Sequence, residues 1–181
     1  MALLTVGHGR LDGAGLVALL TGAGVEQVVD VRRFPASRRN PDLAREALSS
    51  RLPEAGVPYR WEPALGGRRR LERPDDARSP DSWWRVDAFR AYAAHTRTPE
   101  FRNALADVLA AARTRTVAVM CSEAVWWRCH RRIIADIAVL TSGVAVTHLM
   151  PDGRLQSHEP SAGARVVGGD VFWDGPAHAS T

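Results

Sequence analysis

The chain of 181 residues contains no lysine, so all 24 of its side-chain cations other than histidine are arginines. A guanidinium is a planar fork that meets phosphate or carboxylate oxygens with two parallel hydrogen bonds, which an ammonium cannot do. Against 20 acidic residues the net charge is only +4, so the basic balance points to acidic partners without naming them. Cysteine is scarce as well. Cys121 and Cys129 are too few for a disulfide framework and suit reduced thiols in the cytoplasm. No apolar run approaches the roughly 20 residues of a membrane span. The opening "MALLTVGHGR" lacks the basic start and long apolar stretch of a secretory leader. The expectation is therefore a cytoplasmic protein with no membrane partner. The C-x-x-C spacing of zinc sites is also missing. Cys121, Glu123, Cys129 and His130 make a weak ligand set, and no metal or other cofactor is expected.

What is present is a regular alternation. "LLTVG" (3–7), "QVVDV" (27–31), "TVAVMC" (116–121) and "VAVTHLM" (144–150) are short, rich in β-branched residues and followed by polar or turn residues, as buried parallel strands are. Helical patterns separate them. Asp12 can cap a helix bearing Leu16, Leu19 and Leu20, closed by Gly22 and Gly24. Thr98-Pro99-Glu100 combines a cap, a first-turn proline and an acid against the helix dipole. A further helix over roughly 126–141 would place Cys129, Ile133 and Ile137 on one inner face. The fold expected is α/β: a three-layer, Rossmann-like arrangement with a mostly parallel central sheet flanked by helices. Residues 66–86 show no period and read as a long loop or lid. Residues 1–160 read as one domain. Residues 161–181, rich in glycine, alanine and serine, read as a loosely held tail apart from the apolar patch at Val171, Phe172 and Trp173.

In an open α/β sheet, ligands bind beyond the carboxyl ends of the strands. "GHG" (7–9), "DVRRFPASRR" (30–39) and "CSEAVWWRCHRR" (121–132) all fall there by sequence order, and His148 lies near the end of the last strand. Gly7 and Gly9 either let a ligand approach the backbone or simply make a tight turn, and His8 titrates near neutrality. Asp30, just inside a strand end, needs a partner such as Arg32. Arg33, Ser37, Arg38 and Arg39 would form a phosphate-sized pocket, or else an ordinary solvated turn. Cys121 reads as a thiolate favoured by a following helix N-terminus and Arg128, Arg131 and Arg132, or as a thiol filling space. Glu123 would serve as general acid or base and His130 as a proton carrier. Cys129 and His148 read first as core residues. The tryptophan pairs Trp83-Trp84 and Trp126-Trp127 suit packing for one member and stacking on a base or sugar for the other.

"TVGHG", "VVDVRRFPASRRNP", "ALGGRRR", "AFRAYAAHTRTPEF", "AVMCSEAVWWRCHRRIIA" and "VTHL" resemble, in order, the bacterial family catalogued as domain of unknown function 488. The resemblance runs from about Thr5 to His158. It implies an α/β fold and carries over Gly7, His8, Asp30, Arg32, Pro35, Ser37, Gly66, Gly67, Tyr92, Cys121, Glu123, Cys129, His130 and Arg131. Gly9 departs from the serine expected there. A looser resemblance to rhodanese-like sulfurtransferases rests on Asp-Val-Arg and a strand-end cysteine, but the compact cradle that follows their cysteine is absent. The residues together suggest an enzyme on a phosphate-bearing or other anionic partner, either a nucleotide-like small molecule or nucleic acid. Cys121 and Glu123 would carry the chemistry, with His8 and His130 moving protons. Gly7, Asp30, Arg32, Arg33, Ser37, Arg38, Gly66, Gly67, Tyr92 and Arg131 would bind the substrate. A non-catalytic nucleic-acid-binding module and sulfur transfer on Cys121 are the alternatives.

Overall fold

The computed structural model describes residues 2–36 and 40–175. Along the chain lie β1 (Ala2–Gly7), α1 (Gly13–Gly22), β2 (Gln27–Asp30), α2 (Arg45–Glu54), β3 (Tyr59–Trp61), α3 (Arg73–Ala77), α4 (Asp87–Thr96) and α5 (Pro99–Ala112). They are followed by β4 (Thr116–Cys121), α6 (Arg131–Ser142), β5 (Val146–Leu149), β6 (Leu155–Ser157), β7 (Ala164–Val167) and β8 (Asp170–Trp173). The main sheet runs β3-β2-β4-β1-β5-β6, parallel throughout except for β6. This is the three-layer α/β fold that the alternation predicts.

Strand parity decides which face each side chain meets. Leu4, Val6, Val28, Ala118 and Met120 point to one face, where Leu16 and Leu20 of α1 and Leu48 and Leu52 of α2 cover them. Leu3, Val29, Val31, Val117, Val119 and Cys121 point to the other, under Phe101, Leu105, Val108, Ile133 and Ile134 of α5 and α6. The capping signals hold. Asp12 accepts from the Gly15 amide at 2.7 Å, and Thr98 accepts from the Phe101 amide at 3.3 Å.

β1 and β4 are neighbours, yet α1 leaves β1 towards one face while α6 leaves the β4 loop towards the other. Adjacent strands whose connections diverge in this way open a crevice at their carboxyl ends. Backbone bonds carry the pairing past the strands, from the His8 amide to the Cys121 carbonyl and from the Gly9 amide to the Ser122 carbonyl, each at 3.0 Å. The crevice therefore has a rigid floor.

Three regions differ from the sequence expectation. The helix anticipated from about 126 begins only at Arg131, because Trp126–Arg128 make a short 3-10 turn and Cys129 is extended, with φ −123° and ψ 150°. Residues 66–86 contain the short α3 but are otherwise irregular, and Asp81 and Trp84 anchor their second half in the interior. Through residue 175, the tail is not loosely held. β7 and β8 form a hairpin whose turn glycines, Gly168 (φ 59°) and Gly169 (φ 89°), take the left-handed conformations that a tight hairpin requires. A glycine pair between two apolar runs is a hairpin signal, and glycine content alone conceals it. Residues 176–181 lie outside those described.

Trp173 anchors this hairpin. Its indole donates to Asp136 at 2.7 Å, and its backbone pairs with Trp83 at 2.9 Å and with Asp81 at 3.2 Å. Trp173 is 0% exposed whereas Trp127 is 47% exposed. Trp173→Ala should therefore cost about 3–5 kcal/mol in urea unfolding, while Trp127→Ala should change stability by no more than about 0.5 kcal/mol. Equal effects of the two would disprove the hairpin's place in the core.

Candidate active site

The crevice between β1 and β4 holds a cleft of about 410 Å³. It brings together three segments distant in sequence: His8 after β1, Arg32 to Ala36 after β2, and Cys121 to His130 after β4, with Gly67, Arg68 and Tyr92 closing the side.

Parity separates the two leading arginines. Arg32 follows Asp30 onto the α1 and α2 face and forms a buried pair with it, Nε to Oδ1 at 2.9 Å and Nη2 to Oδ2 at 2.6 Å. Its Nη1 donates to the Leu43 carbonyl at 2.7 Å, and Tyr59 donates its hydroxyl to Asp30 at 2.6 Å. Burial and the Asp30 carboxylate push the Tyr59 hydroxyl well above its ordinary range. Arg32 is 6% exposed with nearly every donor in use, so it builds the wall and leaves little for a ligand. Arg33, half-buried, lines the cleft without an ion-pair partner among the described residues and lies over the Phe34 ring at 5.7 Å. Ser37, Arg38 and Arg39 lie outside the described residues.

Arg131 is also committed. It is 1% exposed, donates Nη2 to the Glu123 carbonyl, and reaches Thr5 Oγ1 with Nη1 and Cys129 Sγ with Nε, both at 3.4 Å. Glu123 comes so near that only a glycine fits at position 7, since a Cβ there would overlap the Glu123 carbonyl and lie 2.6 Å from Arg131 Nη2. At Gly67 a Cβ would stand 2.7 Å from His130 Nδ1, and at Gly66 one would stand 2.9 Å from the Arg33 side chain. These three glycines permit close packing of the cleft walls. Gly9, at φ 55°, takes a left-handed turn that glycine accepts more readily than serine. Tyr92 shows the cleft its ring but donates its hydroxyl to the Leu65 carbonyl at 2.6 Å. Burial holds that hydroxyl far above its usual range.

Two thiols and an imidazole form one cluster. Cys121 Sγ, Cys129 Sγ and His130 Nδ1 lie within 4.8 Å of one another, with His130 Nδ1 4.0 Å from the first sulfur and 3.5 Å from the second. Three such donors would suit a thiophilic ion by type, but Arg131 already supplies positive charge against one sulfur. Glu123 belongs elsewhere. It is exposed at the cleft mouth, and its carboxylate accepts from the Val125 amide at 3.1 Å. His8 is drawn down to about 4, first by burial and then by Arg32, and is a neutral imidazole at physiological pH.

The start of α6 gives the two sulfurs different surroundings. Because α6 starts at Arg131, Cys129 and not Cys121 lies beside its N-terminus. Burial disfavours a Cys129 thiolate, but the adjacent Cys121 thiol and the charge and amide of Arg131 outweigh it and bring the group to about 6. Cys121 is pushed up to about 12 by its neighbour Cys129 and by burial. Phe34 and Arg128 line the cleft from the two strand-end segments, and Arg68, Val86 and Phe89 line it too, although sequence order gave no reason to assign those three there. Arg68 carried one usable signal, its place in the turn after Gly66-Gly67, where it takes φ 57°.

Residues 14–138 match the family profile described as "Domain of unknown function DUF488". No curated protein and no solved structure matches the chain. Among the described residues, no helix is long and apolar enough to cross a membrane.

The thiol assignment has a direct readout. Peptide-resolved iodoacetamide labelling should modify Cys129 selectively between about pH 5 and about pH 8, its rate rising with pH through a midpoint near 6, while Cys121 stays a thiol. Preferential labelling of Cys121 would reverse the assignment.

Proposed function

Since the chain belongs to the family described as "Domain of unknown function DUF488", whose description states no activity, we propose from the cleft itself that the protein is an enzyme. Its substrate is anionic and nucleotide-like, and thiolate chemistry is carried by Cys129 within the Cys121–Cys129–His130 cluster. The observation that carries this reading is that a thiol pair with one depressed member lines the same cleft as unpaired arginines and apolar side chains.

Arg33, Arg68 and Arg128 lack ion-pair partners among the described residues and are the donors available to phosphate oxygens. Phe34, 63% exposed, and the apolar Val86 and Phe89 offer a surface for a base or comparable flat group. The Cys129 sulfur would attack the electrophilic atom of the bound substrate. The new bond takes the sulfur lone pair, and the departing group leaves with the electrons of the broken bond. His130, beside both sulfurs, is placed to supply the departing group's proton, and the Glu123 carboxylate, at the mouth, to accept one.

A second groove of about 570 Å³ continues from the cleft and shares Arg68 and Ala88 with it. Arg70 and Arg73 line this groove. Its carboxylates at Asp76 and Asp87 are taken by Arg90, at 2.7 and 2.8 Å. The guanidinium groups without ion-pair partners among the described residues favour a substrate with several phosphates, and nucleic acid over a free nucleotide.

Saturating oligothymidine at low salt should protect Cys129 from iodoacetamide. In the triple variant Arg68→Gln, Arg70→Gln, Arg73→Gln, the logarithmic salt dependence of oligothymidine binding should flatten by about 0.7 for each lost phosphate contact. Alkylation at an unchanged rate with both oligothymidine and ATP in excess would remove nucleotide-like ligands from the cleft. For any substrate then identified, Cys129→Ser should lower turnover by at least about a hundredfold.

A further inference from the structure

Behind the thiol pair runs a row of buried polar side chains. Asp136 Oδ1 lies 2.8 Å from His158 Nε2, and His158 Nδ1 lies 2.9 Å from His148 Nε2. His148 Nδ1 lies 2.6 Å from Thr5 Oγ1, which in turn lies 3.4 Å from Arg131 Nη1. Arg131 Nε then meets the Cys129 sulfur at 3.4 Å. All of these side chains are buried.

One direction of donation along the row satisfies both ends. A carboxylate only accepts and a guanidinium only donates. His158 therefore donates through Nε2 to Asp136 and accepts at Nδ1 from the Nε2–H of His148. His148 accepts at Nδ1 from the Thr5 hydroxyl, and the Thr5 oxygen accepts from Arg131. In this direction His148 is the Nε2–H tautomer. Burial, His158 and Arg131 together hold His148 down to about 3, and the Trp126 ring lies flat on it at 4.0 Å. A chain that ends on arginine cannot deliver a proton to sulfur, because the guanidinium does not release one. What it can do is fix direction.

We propose that Asp136, His158, His148 and Thr5 are positioning residues that hold Arg131 in the orientation keeping its Nε against the Cys129 sulfur. This rests on the reading of Cys129 as the reacting thiolate. The remaining acceptor capacity of Asp136 is taken by the Ser161 amide at 2.9 Å and the Trp173 indole at 2.7 Å. The C-terminal hairpin is thereby coupled to the sulfur: it anchors the carboxylate that begins the chain.

The test reads the pH midpoint of Cys129 alkylation without any substrate. Cys121, His130, Tyr92 and Arg131, the other titratable groups around the sulfur, are unaltered in the variants used. Thr5→Val breaks the chain without changing its charge. The midpoint should rise from about 6 by about one pH unit, a tenfold loss of thiolate on the acid side. Thr5→Ser keeps the hydroxyl and should restore the original midpoint. An unmoved midpoint in Thr5→Val, or an equal shift in both variants, would overturn the positioning role. Imidazole nitrogen NMR of the unaltered protein supplies a check that no folding defect can blur. It should show His148 as the neutral Nε2–H tautomer, and an Nδ1–H form of His148 would break the direction of the chain. Neither readout needs turnover. If Cys129→Ser proves fully active, the proposed activity falls while the positioning of Arg131 is judged on its own.

Discussion

Arg131 is a cation almost wholly removed from water, and a buried charge is tolerated only if its donors find acceptors. Those acceptors come from three places in the chain: Thr5 on β1, the Glu123 carbonyl after β4, and Cys129 just ahead of α6. Satisfying one guanidinium thus draws together the ends of two adjacent strands and the start of a helix. Gly7 belongs to the same constraint, because the carbonyl that Arg131 requires occupies the space a side chain would fill. The cleft floor, the extended backbone at Cys129 and the late start of α6 are consistent with that single requirement.

The absence of lysine takes on a different meaning once each arginine is placed. Arg32 and Arg131 are interior braces, their forks matched to a carboxylate, carbonyl oxygens, a hydroxyl and a sulfur. Arg69 ties the turn after Gly66, donating Nε to the Gly66 carbonyl at 3.1 Å. Arg33, Arg68 and Arg128 remain at the cleft with donors to spare. A cationic wall of this kind favours a thiolate over a thiol and a phosphate over a neutral group by the same electrostatics. Nucleophile and substrate would then share one field.

The buried row from Asp136 to Arg131 shows how a site draws on residues far from its opening. Its members come from α6, the segment after β6, β5 and β1, and the C-terminal hairpin holds the first of them. The links from Asp136 to Thr5 are short, 2.6 to 2.9 Å, because an unpaired polar group would be costly in the interior. The row consequently links core packing to the orientation of the charge beside the sulfur.

The sequence by itself determined the layered α/β fold. Alternating apolar runs, the caps at Asp12 and Thr98 and the glycine turns are local features whose physics acts over a few residues. It also determined that chemistry-bearing segments gather at the carboxyl edge, since strand direction places them there. Only the tertiary structure decided which arginines are buried in the wall and which line the cleft, which sulfur sits beside the start of α6, and that Val171 and Trp173 of the hairpin belong to the core. Those outcomes depend on strand parity, on where α6 starts and on contacts between residues such as Trp173 and Asp136, 37 positions apart. Burial and electric field are properties of neighbours in space, and a linear pattern does not contain them.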